Sequence, residues 1–166
     1  MNDKQEAKRK TAMTDESVSN KLYQGIVEGL IAGNKMYISL FFYGEEGLVS
    51  ERCMGLAQAY QERYPSKKVV WESGIEFTGK LLRAINEDTW KDYHRELYSG
   101  DILVFDHAEQ LAGKRTTMEV FYELFDYYFM KGKPILICAS IVPRLMDGLD
   151  DRIRTQFEGC LMLHAE

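Results

Sequence analysis

Apolar positions change their period repeatedly along the chain. Val18, Leu22, Ile26, Val27 and Leu30 fall at the spacing of one helix face, with Asp15 or Ser17 placed to cap its start and Gly33-Asn34 to stop it. The spacing predicts a helix ending near Ile31. Met36–Tyr43 is then a nearly unbroken apolar run, which predicts a strand covered on both faces. Gly44–Ser50 reads as a loop and Glu51–Tyr64 as a helix halted by Pro65. Lys68–Glu72 reads as a short strand, Ile75–Ile85 and Thr89–Tyr98 as helices, and Asp101–Phe105 as another buried strand. Thr116–Met130 follows as a long helix, Ile135–Ala139 as a strand, Leu149–Phe157 as a short helix and Cys160–His164 as a last strand. Five strands alternating with helices call for an α/β fold of three layers, a parallel sheet with helices on both faces. Ligands of such sheets bind at the carboxyl ends of the strands, so the loops of interest are 44–50, 106–115 and 139–147.

The aromatic helix EVFYELFDYYFM places Phe121, Leu124, Phe125, Tyr128 and Phe129 at helical spacing, which favours core packing over a stacking surface for bases. Tyr122 and Tyr127 lie off that face and are left for a partner surface. The 166 residues suit one domain, read here as a flexible polar tail over 1–15, with the basic run Lys8-Arg9-Lys10, and a core over 16–166. A net charge of −5 argues against a uniformly basic DNA-binding face and leaves room only for a local basic patch. The longest apolar runs are far short of the roughly 20 residues that span a bilayer, and the polar amino terminus is unlike a signal peptide. Three scattered cysteines, Cys53, Cys138 and Cys160, fit a reduced cytoplasmic protein without a structural zinc site. No membrane partner is expected.

Several segments in order resemble the AAA+ core of the bacterial replication initiator DnaA family. The densest stretch runs from Asp101 to Phe157: DILVFDHAEQLAGK, EVFYELFDYYFMKGKPI and GLDDRIRTQF. It is similar to the family's strand-ending Asp-Asp, its FLAGK turn, its EEFF helix and its LEDRLRSRF segment. SVSNKL and GIEFTGKLL also look like family segments, so the resemblance runs from about Ser17 to His164. It implies a P-loop NTPase-type core with a nucleotide site and a role in starting DNA replication. It also implies departures: KRKTAMTDE stands where the family has an aromatic entry segment, and with Glu166 as the last residue neither a helical lid nor a helix-turn-helix domain is expected.

The residues that would hold nucleotide depart from the family too. Its phosphate loop, G-x-x-G-x-G-K-T, corresponds to Gly44-Glu45-Glu46-Gly47-Leu48-Val49-Ser50-Glu51. Gly44 and Gly47 remain, but Val49, Ser50 and Glu51 replace the glycine, the phosphate-binding lysine and the magnesium-binding hydroxyl. Glu45, Glu46 and Glu51 would face an anionic polyphosphate, and one like-charge pair at about 4 Å costs about 4 kcal/mol at an effective dielectric near 20. Ser50 reads instead as an N-cap and Glu51 as a partner of the helix dipole. Asp106 stands at the family's magnesium-coordinating aspartate, read as a structural hydrogen-bond acceptor, and His107 at the second acidic position, read as a loop histidine. Cys138-Ala139-Ser140 replaces the polar γ-phosphate sensor, and Gln156 the arginine finger.

These departures predict a protein that is not an enzyme, with no cofactor and no metal. The resemblance leaves a module that docks on a DnaA-type initiator, another replication protein or a copy of itself, through Arg152, Arg154 and the loop Ile141–Gly148. Arg152 and Arg154 also suit salt bridges within the fold, to Asp150 or Asp151. The alternative is single-stranded DNA binding around Thr78, Lys80, Lys114 and Arg115, which match family positions that contact one strand. A divergent ATPase is the remaining alternative, and neither Lys35 nor Lys67 and Lys68 lies where a loop lysine would sit.

Overall fold

A computed structural model describes residues 21–165; the expected tail and the capping residues Asp15 and Ser17 lie outside the described residues. Helix α1 is described over 21–31. It is followed by β1 (Ser39–Gly44), α2 (Glu46–Arg63), β2 (Val69–Ser73), α3 (Gly74–Asn86) and α4 (Trp90–Tyr98). Then come β3 (Ile102–Asp106), α5 (Arg115–Met130), β4 (Ile135–Ala139), α6 (Asp151–Glu158) and β5 (Leu161–Ala165). The five strands form one parallel sheet in the order β2-β3-β4-β1-β5. This is the three-layer α/β architecture expected from the sequence.

The sheet separates two apolar layers, and strand geometry decides which residue enters which. Phe41, Leu103, Phe105, Ile135 and Ile137 pack with α3, α4, α5 and α6. Their alternates Leu40, Phe42, Val104, Leu136 and Cys138 pack with α1 and α2. Both faces are dry, so β1, β3 and β4 show apolar runs and no alternation. Phe121 anchors the first layer, with its ring 4.6 Å from Phe105 and 5.6 Å from Phe157. Tyr128 is fully buried but keeps its hydroxyl partnered, donating to the Leu97 carbonyl at 2.8 Å and accepting from the Gly100 N–H at 3.1 Å. Burial pushes this phenol well above the ordinary tyrosine range.

Some expectations shift on folding. The run Met36–Tyr43 is not all strand: Lys35–Tyr37 form a 3-10 turn, and Met36 is 77% exposed. A chain turning from α1 into β1 needs those residues for the bend, and their apolar character gives no sign of it. On α5, Phe121, Leu124, Phe125 and Tyr128 are buried but Phe129 is half exposed, because α5 outlasts the layer it covers. Leu22 of α1 is likewise exposed.

Asp101 joins the starts of β2 and β3. Its carboxylate accepts from the Lys68 N–H at 2.9 Å and lies 3.5 Å from Lys67. That backbone bond, followed by Lys67, holds the carboxyl below its ordinary range. A depressed carboxylate contributes stability above its unfolded-state pKa and loses it as pH falls through the folded-state value. Asp101→Asn should therefore lower the melting midpoint at neutral pH, with the gap to the parent closing on acidification. Thermal denaturation over a series of acidic buffers checks this. Phe121→Ala should cost about 3–5 kcal/mol, read from urea denaturation.

Candidate functional site

The carboxyl ends of β1, β3 and β4 converge as parallel-sheet topology requires. Strand β1 ends at Gly44 with φ 138°, and a Cβ there would lie 2.7 Å from the Ala165 carbonyl oxygen, so only glycine fits. Helix α2 then begins at Glu46, after the single extended residue Glu45. The loop expected over 44–50 is thus not formed. Gly47, Leu48, Val49 and Ser50 lie inside the helix, and the Val49 N–H donates to the Glu45 carbonyl at 2.9 Å. Val49 is 1% exposed and packs in the layer with Cys53, Leu56 and Cys138. Ser50 is not the N-cap: that position is Glu45, whose side chain makes no capping bond. The acidic residue at the positive end of the helix is Glu46, and Glu51 sits a turn farther on.

Ser50 makes a different contact. Its hydroxyl donates to Asp106 Oδ2 at 2.8 Å, tying α2 to the end of β3. Asp106 also accepts from the His107 N–H through Oδ1 at 2.8 Å and is 8% exposed. His107 has the left-handed φ of 50°. Its carbonyl approaches the start of α3 so closely that a Cβ on Gly74 would lie 2.2 Å away. The imidazole stands among carboxylates: Nδ1 is 3.4 Å from Glu46 and 3.8 Å from Glu109, and Nε2 is 3.8 Å from Asp106. Glu109 in turn accepts from the Ser140 N–H at 3.3 Å. Among the described residues, no group of three or more His, Cys, Asp or Glu side chains is arranged to hold a metal ion.

The family model described as Bacterial DnaA ATPase domain matches residues 16–164. The chain belongs to this family. It is 34% identical over 125 residues to the chromosomal replication initiator protein DnaA of Deinococcus deserti, covering 75% of this chain and 27% of that protein. It thus spans about a quarter of this curated relative's length. Its fold matches a replication initiator DnaA bound to AMPPCP and single-stranded DNA, with TM-score 0.80, 23% identity and coverage of 89% of this chain and 46% of that one. It also matches a DnaC helicase loader, with TM-score 0.74, 13% identity and coverage of 90% and 91%.

Within this DnaA-type domain the other candidate residues separate. Arg152 pairs with Asp150 through two contacts of 3.1 Å, lies over the Tyr122 ring at 4.6 Å and remains half exposed. Arg154, a quarter exposed, is engaged within the chain. Its guanidinium donates to the carbonyls of Pro143, Met146 and Leu149, fixing the loop after β4, with Asp151 3.8 Å away. Gln156 turns inward and donates to the Tyr122 carbonyl at 3.3 Å. The DNA candidates are partly brought together: Thr78 and Thr117 share a hydrogen bond of 3.0 Å, which sets α3 beside the start of α5 with Lys114 and Arg115. Lys80 is held 2.9 Å from the buried Glu72, and Arg115 lies 3.6 Å from Glu119. The sequence reading missed Glu109, Glu72 and Thr117; a lone carboxylate in the apolar strand 69–73 was the available signal for Glu72.

Ser50→Ala should lower stability by about 1–3 kcal/mol, since it removes a partly buried bond to a carboxylate. Glu51→Gln, on the exposed side of the same turn, should change it by less than about 0.5 kcal/mol. Paired urea denaturation curves measure both.

Proposed function

We propose that this domain is a non-catalytic interaction module of the DnaA type, acting in replication initiation or its control without a nucleotide cycle. The carrying observation is the start of α2 at Glu46, with Val49 buried beneath its first turns. A phosphate loop needs free backbone N–H groups wrapped around the anion, and residues inside a helix point theirs along its axis. The side chains do not fit a nucleoside triphosphate with magnesium either. No lysine lies between Gly44 and Glu51, and the Ser50 hydroxyl is directed at Asp106. Glu45 and Glu46 stand at the helix end where phosphates would sit.

The AAA+ shape remains available for protein contacts. The partner class is a DnaA-type initiator, another replication protein or a second copy of this chain. Arg152 on Tyr122 and the exposed part of the loop after β4 offer contact points, while Arg154 serves as that loop's internal brace. A second reading, binding of one DNA strand, is favoured by the hydrogen bond that brings α3 beside Lys114 and Arg115. The pairing of Lys80 with Glu72 and of Arg115 with Glu119 weakens it.

Calorimetric titration of ATP and ADP, with and without magnesium, tests the main reading. We expect no heat and no thermal stabilisation at millimolar nucleotide; micromolar binding would overturn it. For the DNA reading, a labelled oligothymidylate should bind with a steep salt dependence that Lys114→Glu/Arg115→Glu removes. Binding untouched by that variant excludes this face.

A further inference from the structure

A cavity of about 220 Å³ opens between the last two turns of α5 and the last turn of α6, where Ser39 begins β1. It lies at the amino end of β1, away from the site at the strands' carboxyl ends. Phe125 and Phe129 form its apolar wall, with ring planes 16° from parallel and centroids 6.4 Å apart. Phe125 is buried and Phe129 half exposed, so this wall runs from the core out to solvent.

The polar groups around the cavity are mostly acceptors. Asp126 stands on it with an exposed carboxylate that has no ion-pair partner among the described residues. Thr155 gives its hydroxyl proton to the Asp151 carbonyl at 2.9 Å, which leaves its oxygen as an acceptor. Gln156 donates through Nε2 to the Tyr122 carbonyl, and that bond fixes which way its amide faces. The Gln156 amide oxygen is then buried with no donor among the described residues. Both helices also end here, so the negative ends of two helix dipoles meet at the cavity. The neighbouring cations are engaged elsewhere. Arg152 pairs with Asp150 over the Tyr122 ring, Lys131 lies over Tyr127, and Lys133 donates to the Gly100 carbonyl. Lys35 lines a separate cavity beside Tyr60 of α2.

We propose that this cavity binds a small arylalkylammonium ion. The ammonium group, which has donors only, lies by Asp126 and the acceptor oxygens. The ring packs on Phe125 and Phe129, whose faces attract a cation as well. An anion would instead meet Asp126 and two helix carboxyl ends. The volume falls below the roughly 300–1,000 Å³ of drug-sized sites, which limits the ligand to about one ring with a short chain. The inference concerns a ligand class and a site outside the preceding proposal, and it stands whether or not nucleotide binds.

Calorimetric titration of phenethylammonium, 2-phenylethanol and phenylacetate into the full chain at neutral pH tests it, with backbone amide chemical shifts locating the site. Phenethylammonium should bind saturably, about tenfold or more tighter than the alcohol of the same shape, and phenylacetate should not bind. Amides at 125–130, 155–159 and Ser39 should shift. Asp126→Asn, on an exposed side chain, should weaken phenethylammonium about tenfold and leave the alcohol unchanged, which also shows that the cavity is intact. Phe129→Ala should weaken both ligands. Absence of saturable phenethylammonium binding, equal binding of the alcohol, or an Asp126→Asn variant that binds as the parent does would each overturn the proposal. ATP and ADP titration reads the other end of the sheet, so failure here is separable from failure of the nucleotide-free reading.

Discussion

Burial of Val49 sets the geometry of the whole carboxyl end of the sheet. Its side chain enters the layer between α2 and the sheet, and removing such a side chain from water is worth about 1.5–3 kcal/mol. Only a helix that has already begun by Glu46 brings residue 49 to that position. Gly44 makes the early start possible, since its backbone passes the Ala165 carbonyl more closely than any side chain allows. Once α2 starts there, Ser50 falls opposite Asp106 and Glu46 falls beside His107. These contacts tie α2 to the end of β3 and the turn that follows it.

Those contacts also explain the charge of the region. Glu46 complements the positive end of α2, and Glu109 accepts a backbone bond from Ser140. Glu46 also lies 3.4 Å from His107, so each of these carboxylates has a partner within the chain. The same logic organises the loop after β4, where Arg154 satisfies three backbone carbonyls. A residue type associated with intersubunit chemistry serves here as an internal brace, while Gln156 donates to the Tyr122 carbonyl on α5.

The elements and their order were legible in the sequence because the strands are apolar on both faces and the helices keep a clear face. Phe121, Leu124, Phe125 and Tyr128 needed only their spacing to be placed in the core. Where the reading erred, the signal was absent from local pattern. EEGLVSE contains Gly47 together with good helix formers, and nothing within it decides between loop and helix. Met36 looked like strand because the bend it occupies is imposed by α1 packing against the sheet. Glu72 and Lys80, or Thr78 and Thr117, meet only because separate elements are layered together.

The sequence by itself determined the α/β class, the parallel sheet, the core face of each main helix and the membership of a DnaA-type family. Side-chain type and spacing are local properties, so they survive reading one residue at a time. Tertiary structure alone decided where α2 starts, that Ser50 serves Asp106 and that Arg154 faces inward. Each of these depends on distances between residues far apart in the chain, and those distances are fixed only when the two apolar layers close on the sheet.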